Sequence, residues 1–384
     1  MPKQTYRLTV EPLTCVHIGT GEKLSPLDYK VENLQKIGNM YLSFSSDSIL
    51  KRIAADKQKF SEFDRISSSG NLRALEEFFH KNFTMDDLNY PCKVTKEFLR
   101  KYNENIEKDP LQNAAEVLQM YHPLGKKYPV IPGSSLKGSI RTAVLNDALD
   151  TYAMRNELRH LRDPQVQQRL LHDYKDAKQD PFRAIQISDC NFGAKGTQIV
   201  GLIKNIKTDR YNEVVEHNTS QIQAEVIKGQ LMTDADQADI KGESRLVINS
   251  DLASQNLPLA GVTQRITGDK IASSCNKFYF NEFKKEYENF YKEASGSECD
   301  AITQLLKILK AIADKNDPKE FILRVGRWSQ VEFVTYEHDL REPKTPRKNG
   351  RQMPYGTTRW VFNNDGIYLP LGWCKCTITP EEHL

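Results

Sequence analysis

Residues 128–152, YPVIPGSSLKGSIRTAVLNDALDTY, restrict the fold more than any other part of the chain. Tyr128 to Ile131 reads as a short strand, Pro132-Gly133 as a turn, and the stretch from Ser134 onward as a helix. Leu136, Ile140, Val144, Ala148 and Tyr152 recur every four residues, so they form one buried stripe of that helix. Ser134 is a suitable N-cap, which predicts a helix beginning near Ser135.

The same strand-and-helix alternation runs through the rest. Thr5 to Val16 predicts a strand with Tyr6, Leu8 and Val10 on one face, and Asp28–Val31 with Met40–Phe44 predict a hairpin around Gly38-Asn39. From Ser46 to about Gln119 the composition is helical, with runs such as NLRALEEFFHKNF and LQNAAEVLQMY, which predicts a helical insertion between β-elements. Further strands are expected at Phe182–Cys190, Thr197–Ile203, Gln221–Val226, Arg245–Ile248, Phe321–Val325, Gln330–Val334 and around GIYLPLGWCKCTI. Ile302, Leu305, Leu306, Leu309 and Ile312 mark an amphipathic helix. No repeat of 20–50 residues appears, so the class is α+β, built on small antiparallel sheets. With 384 residues, two domains are expected. They are residues 1–200, with the insertion at about 46–120, and residues 201–384, with a basic loop at 341–359.

Hydrophobic residues are 39% of the chain, enough to bury a core, yet no run approaches the ~18 apolar residues that span a membrane. The opening MPKQTYRLTVEPLTC carries no apolar leader segment, so a soluble, cytoplasmic protein without a membrane partner is expected. The seven cysteines are scattered, as for reduced thiols, and Cys374-x-Cys376 would simply share one face of a strand. No metal site and no cofactor are expected. The net charge of +3 is too mild to indicate a polyanion partner, so basic surface has to be sought locally.

Three places stand out. In IPGSSLKGSIR, Ser134, Ser135, Lys137, Gly138 and Arg141 open a helix with cations and no acid before Asp147. Cations there oppose the helix dipole, and a docked anion would reverse that sign, so a phosphate site is expected. Lys137 and Arg141 lie off the apolar stripe, so reversing both charges should leave the fold intact. In His17-Ile-Gly-Thr-Gly21 with Lys23, two glycines after a strand can present backbone N–H groups to an anion, which nominates His17, Gly19, Gly21 and Lys23. Between 341 and 351, Arg341, Lys344, Arg347, Lys348 and Arg351 face the single Glu342, with Tyr355, Arg359 and Trp360 just beyond. Cations beside rings suit single-stranded nucleic acid. A nucleotide-hydrolysing loop is excluded at the first place, because Lys137 precedes Gly138 instead of following a glycine.

At HIGTG, SPLDY, IPGSSLKG, ISDC, ILRVGRW and LPLGW, in that order, the sequence resembles the RAMP superfamily of CRISPR-associated proteins. Within it, the chain resembles the type III-A (Csm) subunits that cap the complex at the 3′ end of the crRNA. The resemblance implies two modified ferredoxin-like (RRM-like) modules that bind crRNA, a single-stranded RNA. It implies assembly with the RAMP backbone subunit and the small helical subunit. It also implies a part in crRNA maturation whose trimming is done by recruited host nucleases, and it adds Arg327 of ILRVGRW to the expected RNA-binding residues. The expected role is therefore non-catalytic RNA binding and assembly. The alternative is a RAMP-family ribonuclease using His17 as general base, or Asp28, which stands about where the backbone subunits carry the aspartate for target-RNA cleavage. Asp28 can equally cap the turn after Pro26.

Overall fold

The computed structural model describes residues 3–106, 108, 115–149, 157–158, 161, 163–171, 180–193, 197–208, 213–217, 221–232, 240–249, 266–292, 299–315, 317–336 and 356–381. The chain begins with β1 (Gln4–Pro12) and β2 (Gly19–Leu24), then the hairpin β3 (Tyr29–Leu34) and β4 (Gly38–Phe44). Helices α1 (Ser46–Ile53), α2 (Lys57–Ser68) and α3 (Leu72–Asn82) come next. Each starts where a side chain takes a first-turn N–H: Ser45 from Ser48, Asp56 from Gln58 and Lys59, Asn71 from Ala74. Phe44, Ile49, Ile53, Phe78 and Phe79 give this group its own small core.

The predicted insertion is not all helix. It also holds β5 (Leu88–Val94), α4 (Lys96–Ile106) and β6 (Val117–Met120), and both strands join a sheet. The described end of LQNAAEVLQMY is thus a strand, because β2 and β12 (Ile222–Ile227) pair with it from either side. Next come β7 (Val130–Ile131), α5 (Gly133–Ala148), α6 (Asp163–Leu170), β8 (Ile185–Ile187), β9 (Cys190–Asn191), β10 (Gln198–Thr208), β11 (Val214–Glu216) and, after β12, β13 (Gly242–Ile248). The last part holds α7 (Gly268–Phe290), α8 (Asp300–Lys315), β14 (Glu320–Arg324), β15 (Arg359–Asn364), β16 (Ile367–Pro370) and β17 (Trp373–Pro380). The 23-residue α7 escaped the periodicity reading, since its buried residues, from Ile271 to Phe290, spread over more than one narrow stripe. Gln330–Val334, expected as a strand, is a single 3₁₀ turn, and φ of +66° at Trp328 and Gln330 breaks any extended run there.

Two sheets result. One runs β14-β17-β1-β13-β9-β7 and the other β2-β6-β12-β10-β5-β4-β3, with β15 and β16 joined through β10. Among the described residues all pairings are antiparallel except β10 with β5 and β12 with β6. The class is α+β. Residue 200 falls inside β10 and separates neither sheet: β1 pairs with β13 and β17, and β10 pairs with β5. No helix among the described residues is long and apolar enough to cross a membrane.

A buried ion cluster joins α7 to both sheets. Glu286 of α7 receives Arg324 of β14 at 2.8 Å and lies 3.0 Å from Nε of Arg359, the first residue of β15. Arg359 also meets Glu332 at 3.1 Å, and its guanidinium covers the Phe290 ring. Arg359 is only 2% exposed, so it is not the RNA contact its sequence neighbourhood suggested. Two cations and two carboxylates balance, which is the condition for burying them together. Arg359→Met should therefore cost about 3–5 kcal/mol, because it strands carboxylates in the core. Urea unfolding should show a lower midpoint with an unchanged slope.

Candidate functional site

An open cleft of about 450 Å3 lies where three separate segments meet: Ile18-Gly19, one face of α5, and the turn from Arg324 to Val334. The turn is stitched to the first segment by the Arg327 N–H, which donates to the His17 carbonyl at 2.9 Å. Gly326 makes that approach possible. Its φ is +88°, and a Cβ there would sit 2.5 Å from the His17 carbonyl oxygen, so only glycine fits. Gly372 N–H donates to the Cys15 carbonyl, while its own carbonyl accepts from Val325 N–H, both at 2.8 Å. The motif segments around residues 17, 326 and 372 are thus backbone neighbours.

His17 itself is wholly buried. Its Nδ1 donates to the Glu225 carbonyl at 2.7 Å, so the proton sits on Nδ1. Burial, and to a lesser degree the nearby Arg327, push its pKa down to about 4, leaving a neutral ring. That ring lies 5.1 Å from Trp328, over which Arg327 also stacks at 5.0 Å. Arg327 is exposed at the cleft, and there it is the cation free to meet a phosphate.

Helix α5 shows two faces. Leu136, Ile140 and Val144 are buried, while Ser135, Gly138, Ser139 and Thr142 line the cleft. A Cβ on Gly138 would meet nothing within 4 Å, so that turn is open to an approaching chain. The helix starts at Gly133, with Pro132 at the cap position, and not near Ser135. Ser134 makes no capping bond. The Gly133 N–H is instead taken by Asp189 Oδ1 at 2.9 Å, and a Cβ on Gly133 would collide with the Ile187 carbonyl. The ISDC segment therefore closes the helix N-terminus that was expected to hold a phosphate.

The other nominated residues divide accordingly. Gly19, Ser135, Gly138 and Arg327 come together at the cleft. Lys137 and Arg141 do not line it. Lys137 Nζ, half-buried, donates to the Ile185 carbonyl at 2.8 Å, and burial lowers its pKa. Arg141 grips both oxygens of Asp180 at 3.0 and 2.8 Å and covers the Phe182 ring. The missing acid lies 39 residues away in sequence, so charge reversal at Arg141 would face one carboxylate with another and would not spare the fold. Ser134 is exposed beside the cleft. Gly21 and Lys23 lead away along β2, where Lys23 pairs with Glu116 at 2.7 Å. Lys344, Arg347, Lys348 and Arg351 lie outside the described residues, as does Tyr355. Trp360 is half-buried, its ring 6.3 Å from that of Trp328. Asp28 accepts from both the N–H and the hydroxyl of Ser25, at 3.2 and 3.1 Å, and so closes its own turn.

Sequence reading missed Ser139, Thr142, Arg324, Gly326 and Ser329 at the cleft. A signal existed for the helix: Ser135, Gly138, Ser139 and Thr142 obey the i, i+3, i+4, i+7 rule on the face opposite the apolar stripe.

Glu225, whose carbonyl holds the His17 ring, is buried beside it. Its buried carboxyl accepts the Met120 N–H at 2.8 Å and the Tyr90 hydroxyl at 3.0 Å. Burial outweighs both and pushes its pKa up to about 7. A raised folded-state pKa gives stability that is complete below the unfolded value near 4.5 and lost as pH rises through 7. Glu225→Gln should therefore gain on the wild type between pH 4.5 and 8, by on the order of 3 kcal/mol. His17, with its lowered value, contributes in the opposite sense and is common to both proteins. Urea midpoints measured across that range check the difference.

A sequence profile of the RAMP superfamily matches residues 9–329. The "CRISPR system Cms protein Csm5" of Methanocaldococcus jannaschii is 25% identical over 406 aligned positions, covering 97% of this chain and 89% of that protein. Among solved structures, one chain of a cryo-EM Csm–crRNA–target RNA ternary complex of a type III-A CRISPR-Cas system is similar with a TM-score of 0.61. Identity is 18%, and the match covers 97% of this chain and 100% of that one. The crystal structure of T. onnurineus Csm5 is similar with a TM-score of 0.56 at 18% identity, over 95% and 99%. At such identities the structural likeness is one of fold. The profile, by contrast, spans most of the sequence and reaches each of the three segments that build the cleft, the third as far as Ser329, and the chain belongs to the RAMP superfamily.

Proposed function

We propose that this chain is a non-catalytic RNA-binding and assembly subunit of a type III-A CRISPR interference complex. It caps the crRNA at its 3′ end and supports crRNA maturation in the cytoplasm. Its partners are the crRNA, the RAMP backbone subunit and the small helical subunit, with host nucleases recruited for trimming. The observation that carries this reading is the cleft: three segments distant in sequence converge on glycine surfaces, small hydroxyl side chains and the exposed Arg327. Glycines admit a polymer backbone closely, and a cation beside them suits phosphate. The kinship with a protein named for a CRISPR system, and the fold shared with a chain from a crRNA-containing complex, support the choice of assembly.

A non-catalytic role is supported by what the two nominated catalytic residues do. Asp28 closes its own turn, and His17 is buried, neutral and committed through Nδ1 to a backbone carbonyl. General acid–base work needs a group within reach of substrate and titrating near the working pH.

Arg327→Glu should weaken single-stranded RNA binding by the full chain at least about tenfold, the loss of one charge-assisted contact and more. The slope of log K against log salt should fall by roughly 0.7, one phosphate's worth. Complexes carrying this variant should lose the subunit or hold crRNA with abnormal 3′ ends, read by gel analysis of co-purified RNA. Normal capping and an unchanged slope would place the RNA surface elsewhere.

A further inference from the structure

We infer that the cleft distinguishes RNA from DNA, by accepting hydrogen bonds from ribose 2′-hydroxyls on the side-chain oxygens of Ser139 and Thr142. This rests on the reading of the cleft as an RNA site. Each hydroxyl carries one proton, and each donates it inward. Ser139 Oγ lies 3.2 Å from the Ser135 carbonyl and 3.0 Å from the Arg324 carbonyl. Thr142 Oγ1 lies 3.1 Å from the Gly138 carbonyl. Across the cleft, Ser329 Oγ is 2.7 Å from the Gly326 carbonyl. A carbonyl has no proton to give, so the direction of every one of these bonds is fixed.

What these hydroxyls keep for a ligand is lone pairs. A phosphate oxygen is also an acceptor, so it meets this face with the wrong polarity unless an internal bond is broken. The 2′-hydroxyl is the donor on an RNA backbone, and DNA lacks it. Arg327 serves the phosphates from the opposite wall, so the two walls have separate tasks: charge holds the strand, and the helix face reads the sugar. Gly138, on the same helix face beside the two hydroxyls, leaves space for the ribose.

The test compares oligouridylate with oligodeoxyuridylate, since uracil has no exocyclic amino group that could donate in place of the sugar. Affinities of the full chain are measured by fluorescence anisotropy at one salt concentration. Wild type should prefer the ribo-oligomer, and Ser139→Ala/Thr142→Val should lower that preference by about fivefold for each hydroxyl. Ser139 also ties α5 to Arg324, so Thr142→Val alone, whose hydroxyl among the described residues bonds only within its own helix, is the variant that keeps the fold. It should lower the ratio in the same direction. Equal affinities in wild type, or a variant that weakens both oligomers alike, would overturn the inference while Arg327→Glu still weakened both. If Arg327→Glu leaves both affinities unchanged, the cleft is not the RNA site, and the underlying reading falls with the inference.

Discussion

Glu286 is the residue on which the arrangement of this molecule turns. A carboxylate near the C-terminal end of a 23-residue helix, 4% exposed, is costly to bury unless cations are brought to it. Two arginines answer, one from β14 and one from β15, so one helix fixes the ends of strands in two different sheets. Arg324 is further held by the Leu371 carbonyl and lies against the rings of Phe333 and Trp373. The chain leaving Arg324 is the turn that carries Gly326, Arg327 and Ser329 to the cleft. Disturbing the buried cluster would therefore disturb the cleft wall, even though only Arg324 of the four touches it.

The opposite wall is set by a comparable device. Helix α5 begins against the ISDC segment, with the Gly133 N–H on Asp189 and its Cα pressed on the Ile187 carbonyl. Arg141 and Lys137 then bind the neighbouring Asp180 and the Ile185 carbonyl. These bonds fix the helix in rotation, and that rotation turns Ser135, Gly138, Ser139 and Thr142 outward. Charges that resemble a ligand site in sequence are the fastenings that orient the true cleft face.

That contrast explains which readings survived. The strand-turn-helix at 130–148, the α1–α3 region, the β3–β4 hairpin and the closing strand depend on local periodicity and turns, and the structure has them all. The capping of α5, the fate of Arg141 and the burial of Arg359 depend on Asp189, Asp180, Glu286 and Glu332, which are 27 to 73 residues from the groups they serve. No window of sequence contains both partners. A cation without an acid nearby in sequence looks free for an external anion, and only the folded chain supplies the internal one.

By itself, the sequence determined the α+β class, the apolar stripe of α5, and the glycine-bearing segments at 17–21, 131–138 and 322–328 that carry the family likeness. These depend on side-chain size, period and backbone freedom, which are properties of neighbouring residues. The tertiary structure alone decided that those segments meet, that Arg327 and not Lys137 or Arg141 is the exposed cation at the cleft, and that the Ser139 and Thr142 hydroxyls give their protons to backbone carbonyls. The reason is that a charge or a hydroxyl can satisfy itself inside the protein or outside it. Which it does depends on partners that folding brings from far along the chain.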